Sequence, residues 1–186
     1  MYDLARGTHT HVTSEGRAAY PIWTSTGKHL VFLWMKSGLP EMFWQASDGG
    51  SSVQLFIKPP REELESISSD GKNIPIVVLG PDLEFDIMLL DTNSGQKTPF
   101  LTSKYAEAYP EVSPDGRWMA YASIENEDRY EVYVTDFPGK KYRWKISAGE
   151  GFAPMWSRDG KKLFYRGQEP SSTVAPCSAI RSVAWE

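Results

Sequence analysis

The sequence predicts an all-β chain folded as a β-propeller, with about three whole four-stranded blades and two part-blades. A hairpin motif recurs four times at a spacing in the forties. Apolar residues keep fixed offsets from the glycine of that motif. Aromatics, Gly and Pro are plentiful, with 7 Trp, 9 Tyr, 8 Phe, 15 Gly and 13 Pro in 186 residues, which suits many short strands joined by tight turns.

The four copies are WTSTGKHLVF (Trp23–Phe32), ISSDGKNIPIV (Ile67–Val77), VSPDGRWMAYA (Val112–Ala122) and WSRDGKKLFY (Trp156–Tyr165). Their glycines, Gly27, Gly71, Gly116 and Gly160, stand 44, 45 and 44 residues apart. A period of that length, with several strands per unit, marks propeller blades. Four residues before each glycine stands Trp23, Ile67, Val112 or Trp156. Three after it comes Leu30, Ile74, Met119 or Leu163, and five after it Phe32, Ile76, Tyr121 or Tyr165. The last two positions share one face of a strand, so each copy carries an apolar stripe. The runs EMFWQA, DIMLLD and EVYVTD read as third strands, and the runs closing on LFI, FLT and KIS as outer fourth strands.

At the start, MYDLARG aligns with the third-strand run IMLLDTNSG, and THTHVT reads as a fourth strand. At the other end, APMWS and KKLFYRG supply a first and a second strand with no convincing third. The expected division is a part-blade over 1–15, blades over about 16–58, 59–103 and 104–148, a part-blade over 149–167, and an atypical Ser/Pro-rich tail over 168–186. The part-blades are complementary halves. Joined within one chain they close a four-blade ring; joined between two chains they build an eight-blade one; or the missing blades lie outside this sequence. Bare strand edges are sticky, so self-association through the part-blades is the expectation.

The register carries further expectations. Trp23 and Trp156 should be buried between blades. The turn glycines should take positive φ, with Asp115 and Asp159 bonded to their own turns. Pro75 should make its strand irregular, since proline cannot donate to a ladder. The run Lys140-Lys141-Tyr142-Arg143-Trp144-Lys145 should form an edge strand guarded by cations, in preference to a nucleic-acid platform.

The net charge of −4 supplies no long-range attraction to nucleic acid or to an anionic membrane. The single cysteine, Cys177, cannot form an internal disulfide. No apolar stretch approaches the ~20 residues of a membrane span. The N-terminus lacks the apolar core of a signal peptide.

These residues resemble the TolB-like, WD40-like (PD40) propeller repeats of bacteria, in which a Pro-x-Trp-Ser-Pro-Asp-Gly turn precedes an apolar strand. Here the pattern stands as YPIWTSTGKHLVF, YPEVSPDGRWMAYAS and APMWSRDGKKLFYRG. The stretch 99–166 is similar to the propeller region attached to many bacterial serine/threonine kinases and related sensors. The resemblance covers about residues 1–167. It implies a bacterial propeller, with a periplasmic or extracytoplasmic setting among its expectations. The second copy departs from the pattern by lacking the preceding proline, and the tail after Gly167 departs from it altogether.

No Gly-x-Ser-x-Gly elbow, Walker loop, Gly-x-Gly-x-x-Gly or Cys-x-x-Cys occurs. His9 and His11 share one side of a strand and would need a third ligand to hold a metal; an exposed outer strand is the simpler reading. His29 falls on a hairpin. Three acidic groups, at Glu62, Glu63 and Glu65, at Asp82, Glu84 and Asp86, and at Glu125, Glu127 and Asp128, lack the spacing of an EF-hand loop and read as solvated loops. The candidate ligand-binding residues are Arg17, Tyr20, Glu107, Tyr109 and Phe152. They lead into the first strands of three blades, where connections gather around the central channel. The competing reading for them is packing between neighbouring blades.

The expected function is a non-catalytic binding or scaffold module that presents loops to a protein, peptide or small ligand. No cofactor or metal is expected. The alternatives are an accessory propeller of a separate peptidase or kinase, and a metal-dependent lactonase-like enzyme.

Overall fold

A computed structural model of the chain describes residues 2–9, 11–13, 16–24, 27–35, 38, 41–48, 50, 53–54, 66–80, 84–126 and 129–167. Among them there is no helix, and every sheet is antiparallel. Strands β1 (Tyr2–Asp3) and β2 (Thr8–His9) form a two-stranded sheet. Blade 1 follows in the order β3 (Arg17–Trp23), β4 (His29–Met35), β5 (Glu41–Ala46) and β6 (Val53–Gln54). Blade 2 shows β7 (Asn73–Leu79), β8 (Phe85–Asp91) and β9 (Lys97–Leu101). The first strand expected for blade 2 falls largely outside the described residues. Blade 3 has β10 (Glu107–Val112), β11 (Trp118–Asn126), β12 (Arg129–Asp136) and β13 (Arg143–Lys145). Strands β14 (Phe152–Trp156) and β15 (Leu163–Arg166) form a final pair. The expected tail lies outside the described residues.

The repeated hairpins have the predicted chemistry. Gly27, Gly71, Gly116 and Gly160 take φ of 66°, 71°, 73° and 67°. The Asp70 carboxylate accepts from Ser68 Oγ at 2.6 Å and from the Lys72 N–H at 3.0 Å. Asp115 repeats this with Ser113 and Arg117, and Asp159 with Ser157 and Lys161. The aspartates hold turns, as their Asp-Gly spacing implies.

Apolar clusters fill the junctions between sheets. Val31, Leu33 and Met42 of blade 1 meet Ile67, Ile74 and Ile76. Ile87, Leu89 and Phe100 of blade 2 meet Val112, Met119 and Tyr121. Ala120, Val132 and Val134 of blade 3 meet Trp156 and Leu163. Each first and second strand therefore buries its stripe against the preceding sheet. Two polar contacts follow the same path: the Val112 N–H donates to Ser66 Oγ at 3.2 Å, and Trp156 Nε1 donates to the Glu111 carbonyl at 3.0 Å.

Two expectations need correction. Trp156 is 8% exposed, but Trp23 is 46% exposed. The register is intact, since Trp23 pairs with Leu30 as Trp156 pairs with Leu163. Burial at this position needs the sheet of a preceding blade, and none covers Trp23 among the described residues. Pro75 is buried in a regular strand, opposite Leu89. The Lys72 carbonyl accepts from Thr92 on the β8 side, while the Asn73 carbonyl accepts from Ser68 on the other. By alternation Pro75 occupies a non-hydrogen-bonded pair with β8 and withholds no donor from it.

Trp156→Ala should cost ~3–5 kcal/mol, the range for large-to-small core changes, whereas Trp23→Ala should cost well under half of that in the isolated chain; urea unfolding measures both. A Cβ on Gly116 would run into Ser69 Oγ, whereas one on Gly160 meets only Pro114 Cδ at 3.7 Å. Both carry the positive-φ penalty of roughly 1 kcal/mol, so Gly116→Ala should be the more destabilising of the two in the same assay.

Candidate functional site

The three described first strands share a bulge. In blade 1, Tyr20 and Pro21 together oppose Phe32; in blade 3, Tyr109 and Pro110 oppose Tyr121; in the last pair, Ala153 and Pro154 oppose Tyr165. Two residues against one is the definition of a β-bulge. Proline suits it because the bulge leaves an N–H without a ladder partner. The residue before each proline takes positive φ: 51° at Tyr20, 55° at Tyr109 and 48° at Ala153. That conformation costs a residue with a Cβ roughly 1–2 kcal/mol, so the surroundings must hold it.

In blade 3 the surroundings are aromatic. The Tyr109 ring lies 5.8 Å from Tyr130, edge to face, and 6.2 Å from Phe152. Phe152 belongs to the next sheet, so this group bridges two units. Tyr109 and Phe152 are half-buried. Glu107, on the same strand as Tyr109, is 3% exposed. Its Oε1 accepts from Ser103 Oγ at 2.5 Å, and its Oε2 has no hydrogen-bond partner among the described residues. Burial pushes its carboxyl above the ordinary value of 4.5; the Ser103 bonds act against this, and the charges of Asp86 and Glu125 add to it.

Sequence reasoning placed no function on the polar network beside it. Arg143 Nε donates to the Tyr121 hydroxyl at 2.6 Å, its guanidinium sits 3.8 Å from the Tyr133 ring centre, and its terminal nitrogens grip both oxygens of Glu125. Tyr133 donates to Glu131 at 2.9 Å, and Lys145 reaches the other oxygen of Glu131 at 2.7 Å. Burial, opposed by Arg143, pushes the Tyr121 hydroxyl up to about 12. The expected cationic edge strand is thus also a clamp on its own blade. Asp86, expected in a solvated loop, is buried. Glu62, Glu63, Glu65, Asp82, Glu127 and Asp128 lie outside the described residues.

A cavity of about 620 Å³ lies beside the repeated hairpins. Residues just before the four turn glycines converge on it: Ile22 and Trp23, Ser66 and Ile67, Glu111 and Val112, Met155 and Trp156. Met155 is 59% exposed. Arg158 and Glu111 bring charge to an otherwise mainly apolar wall. None of Arg17, Tyr20, Glu107, Tyr109 and Phe152 lines this cavity. Tyr109, Phe152 and Glu107 gather in blade 3 and its neighbour, while Arg17 and Tyr20 are exposed on blade 1. The signal for the cavity residues was in the register, since they stand four and five residues before the turn glycines. His9 and His11 pack edge to face at 5.8 Å, and His29 stacks on Trp44 at 4.4 Å. Among the described residues no three His, Cys, Asp or Glu side chains gather as metal ligands.

The repeated blades, their hairpins and their junctions define a β-propeller chain, with an open ring among the described residues. No family model matches it. The Tol-Pal system protein TolB of Alcanivorax borkumensis is 33% identical over 81 residues, 42% of this chain and 18% of that protein. The uncharacterized peptidase YuxL of Bacillus subtilis is 28% identical over 79 residues, 42% of this chain and 12% of that protein. The crystal structure of TolB from Acinetobacter baumannii superposes with a TM-score of 0.69 at 20% identity, covering 91% of this chain and 42% of that one. The chain shares the β-propeller fold of the solved TolB structure and a stretch of sequence similar to TolB, and it spans under half the length of each of these relatives.

For Glu107 the folded value is raised, so its contribution to stability is full below 4.5 and is lost as pH rises through the folded value. Glu107→Gln should therefore raise the melting temperature at neutral pH relative to the parent chain and leave it nearly unchanged at pH below 4.5; thermal melts across that range check this.

Proposed function

We propose that the chain is a non-catalytic binding module that takes a short peptide segment of a partner protein at the hairpin end of its channel. One observation carries the reading. Strands from successive blades converge on a cavity of about 620 Å³, and the exposed side chains of Trp23 and Met155 stand on its wall. A concave, mainly apolar site with a few charged groups is the usual form of a ligand pocket. The flexible thioether of Met155 suits contact with varied apolar side chains. The aromatic group of Tyr109 and Phe152, with Arg17, Tyr20 and Glu107, would flank the same channel from its other end. The Alcanivorax relative is by name a component of a protein system, which agrees with a partner of this class.

A second reading is an accessory propeller of a separate peptidase, favoured by the relative named as a peptidase. A kinase-attached setting is the corresponding expectation from the resemblance at 99–166. A catalytic domain in the same reading frame would support either.

The test is selection of peptides on the purified chain from a displayed random library. Enriched peptides should bind the parent chain and lose about tenfold or more in affinity, roughly 1.4 kcal/mol, on Met155→Asp. Absence of enrichment, or binding indifferent to Met155→Asp, would sink the reading.

A further inference from the structure

One charged side chain on the wall of the cavity beside the hairpins has no partner. The charged residues there are Arg158 and Glu111. Glu111 interacts within the chain. Arg158 is exposed and makes no hydrogen bond or ion pair among the described residues. Val112, Pro114 and Trp156 stand on the same wall. A guanidinium carries a planar fork of donors that fits a carboxylate in two parallel hydrogen bonds.

The hairpins that border the cavity have the same sign when taken together. Their turns, at 24–28, 68–72, 113–117 and 157–161, carry Lys28, Lys72, Arg117, Arg158 and Lys161 against Asp70, Asp115 and Asp159. These turns are therefore cationic in a chain whose net charge is −4. All five cations are exposed. Each of the three aspartates instead directs an oxygen to a serine hydroxyl and a backbone N–H of its own turn. The aspartates of the outer turns, Asp48, Asp91 and Asp136, do not line the cavity.

We infer that the segment this cavity takes is acidic. An aspartate or glutamate side chain pairs with Arg158, and the apolar residues beside it lie on Val112, Pro114 and Trp156. This rests on the peptide-binding reading above and names the chemistry of the peptide. The apolar neighbours exclude water from around the ion pair as they dock, so the pair is stronger than one on an open surface. The exposed cations of the turns steer a negative segment to this face, an effect that salt weakens. A basic segment meets repulsion from the same charges, which makes the site selective.

The test is selection of displayed peptides in parallel on the parent chain and on Arg158→Glu, a change at an exposed turn position that should leave the far-ultraviolet spectrum unchanged. Peptides from the parent should carry Asp or Glu beside apolar residues. They should lose about tenfold or more in affinity on Arg158→Glu and recover most of it on Arg158→Lys. Peptides from Arg158→Glu should carry Lys or Arg instead. In a synthetic parent-selected peptide, changing the acid to its amide should cost about tenfold on the parent and little on Arg158→Glu. Amidating its C-terminus should cost nothing. Peptides that depend on Met155 but show no acidic bias, or no coupling to Arg158, overturn this inference and leave the peptide-binding reading standing. Absence of enrichment overturns both. Binding of a single-stranded oligonucleotide, or self-association of the chain, that Arg158→Glu abolishes assigns this face to another occupant and overturns the inference as well.

Discussion

The structure depends on the junction between one sheet and the next. A propeller sheet has two apolar faces and cannot bury both alone. Here the first and second strands of each unit lay their stripe on the sheet before them. Ile67 does this on blade 1, Val112 on blade 2 and Trp156 on blade 3. The hydrogen bonds from Val112 to Ser66 and from Trp156 to Glu111 run along the same inner path. At Trp23, which no preceding sheet covers among the described residues, the same residue type in the same register stands in the open. The contrast isolates the neighbour, rather than the local sequence, as the cause of burial.

The bulges show what this arrangement demands of the backbone. Three first strands carry a residue at positive φ before a proline, and in two of them the residue is tyrosine. Backbone preference alone would choose glycine. At Tyr109 the aromatic contacts with Tyr130 and Phe152 offset the strain and tie blade 3 to the next sheet. A residue chosen for its ring is kept in a conformation its backbone resists.

Much of this was legible in the sequence because turns and periods are local. The Ser-x-Asp-Gly turn needs only its own six residues, so Asp115 and Gly116 could be read directly. The stripe at Leu30 and Phe32 or at Met119 and Tyr121 follows from alternation alone. What the sequence hid depends on partners far along the chain. Trp23 looked like Trp156 because burial is decided by another sheet. Pro75 looked disruptive because the side of the strand its nitrogen faces is set by pairing with β8. Arg143 looked like a gatekeeper, and its grip on Tyr121 and Glu125 crosses from β13 to β11. The cavity residues Trp23 and Met155 were each visible as apolar positions, but their convergence is a property of the ring.

The turns themselves stack from blade to blade: Gly116 lies against Ser69 of the turn before it, and Gly160 faces Pro114. Every such contact reaches only the nearest neighbour. Stability in such a molecule is a sum of unit terms and coupling terms, as in a one-dimensional lattice. A change within one period of about 44 residues is therefore felt at its own two junctions and fades beyond them.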